Sequence, residues 1–209
     1  MEQKYMNHKN LSTEEIIKKS RFISHIKRTE TEDEAKAFIN EVKQEHKSAT
    51  HNCSAYIIGK SALIQRADDD GEPQGTAGVP MLEVLKNEEL YNVTVVVTRY
   101  FGGIKLGSGG LIRAYSSGTS LAVKESGKVM EIPMTPINVT LDYTYTAKFE
   151  HYLGNTDATI VSQDYTDKVH YLIHIKEEGA DQIIDTLKEI TSNNYIAKKD
   201  DPVIAEEVI

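Results

Sequence analysis

The segment Val93-Thr94-Val95-Val96-Val97-Thr98-Arg99-Tyr100-Phe101-Gly102-Gly103-Ile104-Lys105-Leu106-Gly107-Ser108-Gly109-Gly110-Leu111-Ile112-Arg113-Ala114-Tyr115 constrains this chain more than any other. Consecutive β-branched residues predict a strand covered on both faces. The five glycines that follow let the backbone turn sharply and approach a ligand closely. The helix that opens near Leu111 begins with unpaired N–H groups, a ready site for an anion. Arg99, Lys105 and Arg113 surround the turn with positive charge, and Tyr100, Phe101 and Tyr115 stand between them. A packing-only role for these glycines is the plainer alternative.

Two familiar phosphate motifs fail here. A Walker A loop needs Lys directly after its last glycine; Gly102 and Gly107 have the spacing, but Ser108 follows. A dinucleotide fingerprint fails because Ile112 stands where the third glycine belongs after Gly107 and Gly109.

Three further motifs precede this segment in order: Lys18-Lys19-Ser20-Arg21-Phe22, His51-Asn52-Cys53 and Asp69-Asp70-Gly71-Glu72-Pro73. With them the chain resembles the IMPACT family from about residue 15 to 130, and its tail resembles the small C-terminal domain of the bacterial members. The resemblance implies a fold like the second domain of ribosomal small-subunit protein five, and a role in translation control or nucleic-acid binding. Eukaryotic relatives restrain a starvation-responsive kinase by competing for its activating scaffold. Bacteria lack that kinase, so the mechanism itself does not transfer.

The chain has 209 residues, enough for one large or two small domains with a real core. No run approaches the ~20 apolar residues of a membrane span. Met1 to Leu11 lacks the apolar core of a signal peptide. The single cysteine, Cys53, excludes an internal disulfide and suits a reducing cytosol, so a cytoplasmic location is expected. The net charge is −8, yet 18 Lys/Arg balance 18 Asp/Glu before Pro136, against 6 and 14 from there on. Tight nonspecific duplex binding is therefore not expected, while a local basic patch in the first part is compatible with the totals.

The pattern predicts an α+β chain: an N-terminal domain over 1–132 and a ferredoxin-like βαββαβ domain over 137–209, with a linker bracketed by Pro133 and Pro136. Ser12 or Thr13 reads as the cap of a short helix through Glu14, Ile16 and Ile17. Thr31 with Glu34 reads as a capping box before a longer helix.

The candidate ligand-binding residues are Arg21, Arg99, Tyr100, Phe101, Gly102, Gly103, Lys105, Gly107, Gly110, Arg113 and Tyr115. Basic side chains would contact phosphate and an aromatic ring would stack on an unpaired base. Asp69, Asp70, Glu72 and His51 are the catalytic candidates if the chain is instead a hydrolase or phosphoryl-transfer enzyme, with Asp69 and Glu72 as paired carboxylates. The bland alternative has the acids capping a turn, with Glu72 paired to Arg99 or Arg113. An EF-hand is excluded, since Arg66 and Ala77 fall at ligand positions, and a looser divalent-cation site has no defined ligand spacing. His51 and Cys53 share a strand face, which permits a Cys–His nucleophile, although a buried structural thiol is the simpler role. No cofactor or metal is expected. The partners expected are RNA or a ribosome-associated nucleoprotein, and a protein partner for the acidic second domain. A protein-interaction module of the translation apparatus is the third alternative.

Overall fold

The computed structural model describes residues 4–209. The chain divides into two units: one runs to Met130 and takes in Glu207–Ile209, and the other is Glu131–Glu206.

The first unit comprises β1 (Met6–Asn7), β2 (Leu11–Ile17), β3 (Ser20–Arg28), α1 (Glu32–Glu45), β4 (His51–Ile58), β5 (Ile64–Asp68), α2 (Gly78–Asn87), β6 (Val93–Tyr100), α3 (Ser108–Ser126) and the start of β7 (Lys128–Leu141). Its main sheet has the order β2-β3-β6-β4-β5, with antiparallel neighbours throughout. Strand β6 lies at the centre, which is why Val93 through Arg99 are all buried. Val93, Val95 and Val97 join the main core with Met81, Leu85, Leu111, Ala114 and Tyr115 of α2 and α3. The opposite face is covered by α1, where Ala35 and Ile39 pack with Tyr56 and Ile58. At Thr31 the capping interaction forms: its hydroxyl accepts from the Glu34 amide, and the Glu34 carboxylate reaches back to accept from the Glu30 amide.

The short helix expected through Glu14 to Ile17 is instead strand β2. Alternate residues Leu11, Thr13, Glu15 and Ile17 are half-buried while those between are exposed, the period of a strand. Ser12 caps no helix; its hydroxyl bonds His25 Nδ1 across the β2–β3 pair.

The second unit holds most of β7, then α4 (Tyr143–Leu153), β8 (Thr159–Tyr165), β9 (Val169–Ile175), α5 (Glu177–Thr191), β10 (Tyr195–Lys199) and β11 (Val203–Val208), which pairs with β7. The sheet order β10-β7-β9-β8 with two crossover helices is the split-βαβ, ferredoxin-like arrangement. Phe149 and Leu153 of α4, with Ala180, Ile183 and Leu187 of α5, close its core over Ile137, Val139, Tyr171 and Ile173. The segment expected as a linker, Pro133 to Pro136, is part of β7. Pro136 sits opposite His174, and its carbonyl accepts from the Asp200 amide just past the end of the β7–β10 pairing, so its missing N–H removes at most one terminal bond there.

Burial, aided by the nearby His46 and opposed by Glu45, depresses the pKa of His25 to about 4. The unfolded chain, with a histidine near 6.5, takes up this proton first as pH falls. His25 therefore contributes stability that is complete above pH 6.5 and is lost as pH falls toward 4. The unfolding free energy from urea titrations should drop across that window by on the order of 2 kcal/mol, and His25→Gln should flatten the slope.

Candidate functional site

Three neighbouring strands place Phe22, Arg99 and His51 in one row, because Arg99 pairs with Phe22 on one side and His51 on the other. Strand alternation puts this row on the face of Val97 and Cys53, toward α2 and α3. Arg99 is consequently buried, with only 5% of its surface exposed. Its Nη1 donates to Glu72 Oε1 at 2.7 Å, and its Nη2 donates to the Ser20 hydroxyl at 3.4 Å. The guanidinium lies 5.4 Å from the ring centres of both Phe22 and Phe101, a favourable cation–π placement. From α3, the Tyr115 hydroxyl donates to the same Oε1 at 2.8 Å. Burial, together with the neighbouring Cys53 and Glu72, pushes the Tyr115 pKa far up, so this hydroxyl keeps its proton and remains a donor.

The loop that delivers Glu72 is built on two aspartates. Asp69 accepts from the amides of Gly75, Ala77 and Gly78. Asp70 accepts from the Asn52 amide and Lys43 Nζ, each at 2.7 Å, and its carbonyl lies 2.8 Å from His51 Nδ1. Both carboxylates thus hold backbone in place. The candidate pair of Asp69 with Glu72 is occupied on the Asp69 side by three amides.

Beyond β6, the Gly102 amide donates to the Ser20 hydroxyl and the Phe101 amide to Thr50. Gly102 packs against the β2–β3 turn so closely that a Cβ there would fall 2.0 Å from the Lys19 carbonyl carbon. Gly107, at φ +72°, precedes α3 with no side-chain cap. The exposed Phe101 ring, Pro73, Leu106 and Leu111 wall a cleft of about 440 Å³ that His51, Glu72, Arg99 and Lys105 also line. Leu106 lines a second cleft as well, of about 550 Å³, with Lys18, Arg113 and Ser117.

The structure thus divides the candidate residues into three groups. Phe101, Lys105, Gly107, Glu72 and His51 surround the first cleft, Gly110 and Arg113 the second. Arg99 and Tyr115 lie within the protein as partners of Glu72. Arg21 and Tyr100 stand on the sheet's other face, where Arg21 pairs with Glu14 and Tyr100 bonds His46. The Glu72 partner is Arg99, with Arg113 elsewhere on exposed α3 surface.

Ser20, Thr50, Lys18 and Lys19 join the site without having stood among the sequence candidates. Strand alternation would have excluded Arg21 and selected Phe22 as the neighbour of Arg99. Cys53 is fully buried, its Sγ donates to the Asp69 carbonyl, and burial pushes its thiol pKa well up, which removes the Cys–His nucleophile. Among the described residues, no group of three or more His, Cys, Asp or Glu is placed to hold a metal ion, and no helix is long and apolar enough to cross a membrane.

Comparison with known proteins agrees with this architecture. The Impact N-terminal domain profile matches residues 18–123, and a domain of unknown function, DUF1949, matches 139–194. The chain belongs to the IMPACT family. It is 43% identical over 194 residues to the family member YvyE of Bacillus subtilis, covering 93% of this chain and 89% of that protein. Against the family member YigZ of Escherichia coli it is 40% identical over 153 residues, covering 72% and 75% respectively. A crystal structure described as a hypothetical protein superposes with a TM-score of 0.60 at 33% identity, covering 94% of this chain and 97% of that one. The profile match from residue 18 takes in Lys18 through Phe22, His51, Glu72, Arg99 and the start of α3.

Removing one partner of the buried pair strands the other charge. Arg99→Ala should destabilise the first unit by about 3–5 kcal/mol, whereas Arg99→Met with Glu72→Leu should recover more than half of that loss. Denaturant midpoints of the two variants check this.

Proposed function

We propose that this IMPACT-family protein is a translation-associated regulator that binds single-stranded RNA, or an RNA-containing particle, along the two clefts beside α3. The observation that carries the proposal is the set of cations there. Lys18, Lys19, Lys105 and Arg113 are exposed, and no salt bridge engages any of them among the described residues. Of the neighbouring acids, Glu14 is paired with Arg21 and Glu72 with Arg99, while the Glu15 carboxylate accepts from Ser117 beside the second cleft. The uncapped start of α3 adds amide donors at the same place. Exposed Phe101 supplies a ring for a splayed base.

The β2–β3 turn adds independent support. Ile17 pairs with Ser20, so Lys18 and Lys19 form a two-residue hairpin loop. Both have positive φ, 46° and 67°, a primed turn that normally favours Asn-Gly. Placing two lysines there costs roughly 1 kcal/mol or more each, and strain of this kind concentrates at functional positions.

The hydrolase alternative would have drawn on Asp69 and Asp70, whose oxygens are committed to backbone amides and Lys43. The RNA reading uses groups that have no such commitment. The translation role rests on the family likeness, and the RNA contact on the cation geometry.

Anisotropy of labelled single-stranded RNA at rising salt tests the proposal. Log affinity should fall linearly with log salt, and Lys105→Ala with Arg113→Ala should lower the slope by about 0.7 for each phosphate that is no longer neutralised. Lys18→Asn with Lys19→Gly should raise stability by about 1–2 kcal/mol while weakening RNA binding. Unchanged affinity in both double variants would contradict the assignment.

A further inference from the structure

His51 and Glu72 stand side by side on the first cleft. His51 Nδ1 lies 2.8 Å from the Asp70 carbonyl oxygen, which can only accept. Nδ1 therefore carries a proton, and whenever the imidazole is neutral its Nε2 is an acceptor. That Nε2 sits 3.7 Å from Glu72 Oε2. The Glu72 side chain is 3% exposed, and the donors from Arg99 and Tyr115 both end on Oε1. With the imidazole neutral, two acceptors face each other on a cleft also lined by Phe101, Leu106 and Leu111.

We propose, building on the RNA-binding reading, that this cleft receives one splayed nucleotide and selects guanine through His51 Nε2 and Glu72 Oε2. Guanine presents two adjacent donors, N1–H and the 2-amino group, on its Watson–Crick edge. Adenine and cytosine offer one amino group beside a ring acceptor, and uracil one N–H between two carbonyls. Only guanine satisfies both protein acceptors without setting a lone pair against them. The volume of about 440 Å³ is of ligand-pocket size, and the apolar walls suit a heterocycle. Lys105 and the first amides of α3 stand at the same cleft for the attached phosphate. The strand continues into the second cleft, which shares Leu106 and carries Lys18 and Arg113.

Oligouridines bearing one central guanosine, adenosine or inosine test this at fixed salt, by anisotropy on the full chain. Inosine removes only the 2-amino donor, so the comparison leaves the protein untouched. The guanosine oligonucleotide should bind at least about tenfold more tightly than the adenosine one, with inosine between them. His51→Phe, checked for folding by its thermal melt, should abolish the guanosine preference. Equal, salt-sensitive affinity for all three would overturn guanine selection and leave the RNA reading standing. No binding of any oligonucleotide at low salt would overturn the RNA reading, and the guanine assignment with it.

Discussion

The ion pair between Arg99 and Glu72 fixes the geometry from which the site follows. It ties the end of the central strand β6 to the loop before α2, and Tyr115 ties α3 to the same carboxylate oxygen. Burying two charges is costly, and here the cost is met by close geometry, by Ser20, and by the faces of Phe22 and Phe101. Because the pair sets where β6 ends, it also sets where the glycine-rich loop departs. Gly102 then lies flat on the β2–β3 turn, at a spacing no side chain permits. The backbone after Phe101 and the Lys18–Lys19 turn are therefore held against one another by packing.

Charge in this unit has two separate tasks. The acids Asp69, Asp70 and Glu72 organise loops from within, each accepting hydrogen bonds from the protein. The cations Lys18, Lys19, Lys105 and Arg113 remain at the surface without such engagement among the described residues. An overall charge of −8 hides this arrangement, since the excess acid lies in the second unit. Strained φ values at Lys18 and Lys19 fall at the same spot. Unengaged charge and local strain coincide where a polyanion would be gripped, which is the expected signature of a binding surface.

Much of this was legible in the residues. The run from Val93 to Tyr115 specifies strand, turn and helix because β-branched, glycine and periodic apolar residues follow one another without conflict. The second unit declares its strand and helix order through clear periodicity, as in Ala180, Ile183 and Leu187. The burial of Arg99 was not legible from charge alone. It follows from alternation with Val95 and Val97, which places Arg99 on the core face. Segment 11–17 misled because Ser12 and Thr13 resemble a helix cap, while its pairing with β3 decides the matter. Likewise Pro136 suggested a break, but it lies just past the end of the β7–β10 pairing, where a missing N–H removes at most one terminal bond.

The most direct measurement is an amide chemical-shift titration of the isotopically labelled protein with single-stranded RNA. The account predicts that shifts concentrate at Lys18, Lys19, Phe101, Lys105 and the Ser108–Leu111 turn, with Arg21, His46 and Tyr100 on the opposite face unmoved. Shifts centred on that opposite face, or on the second unit, would contradict it.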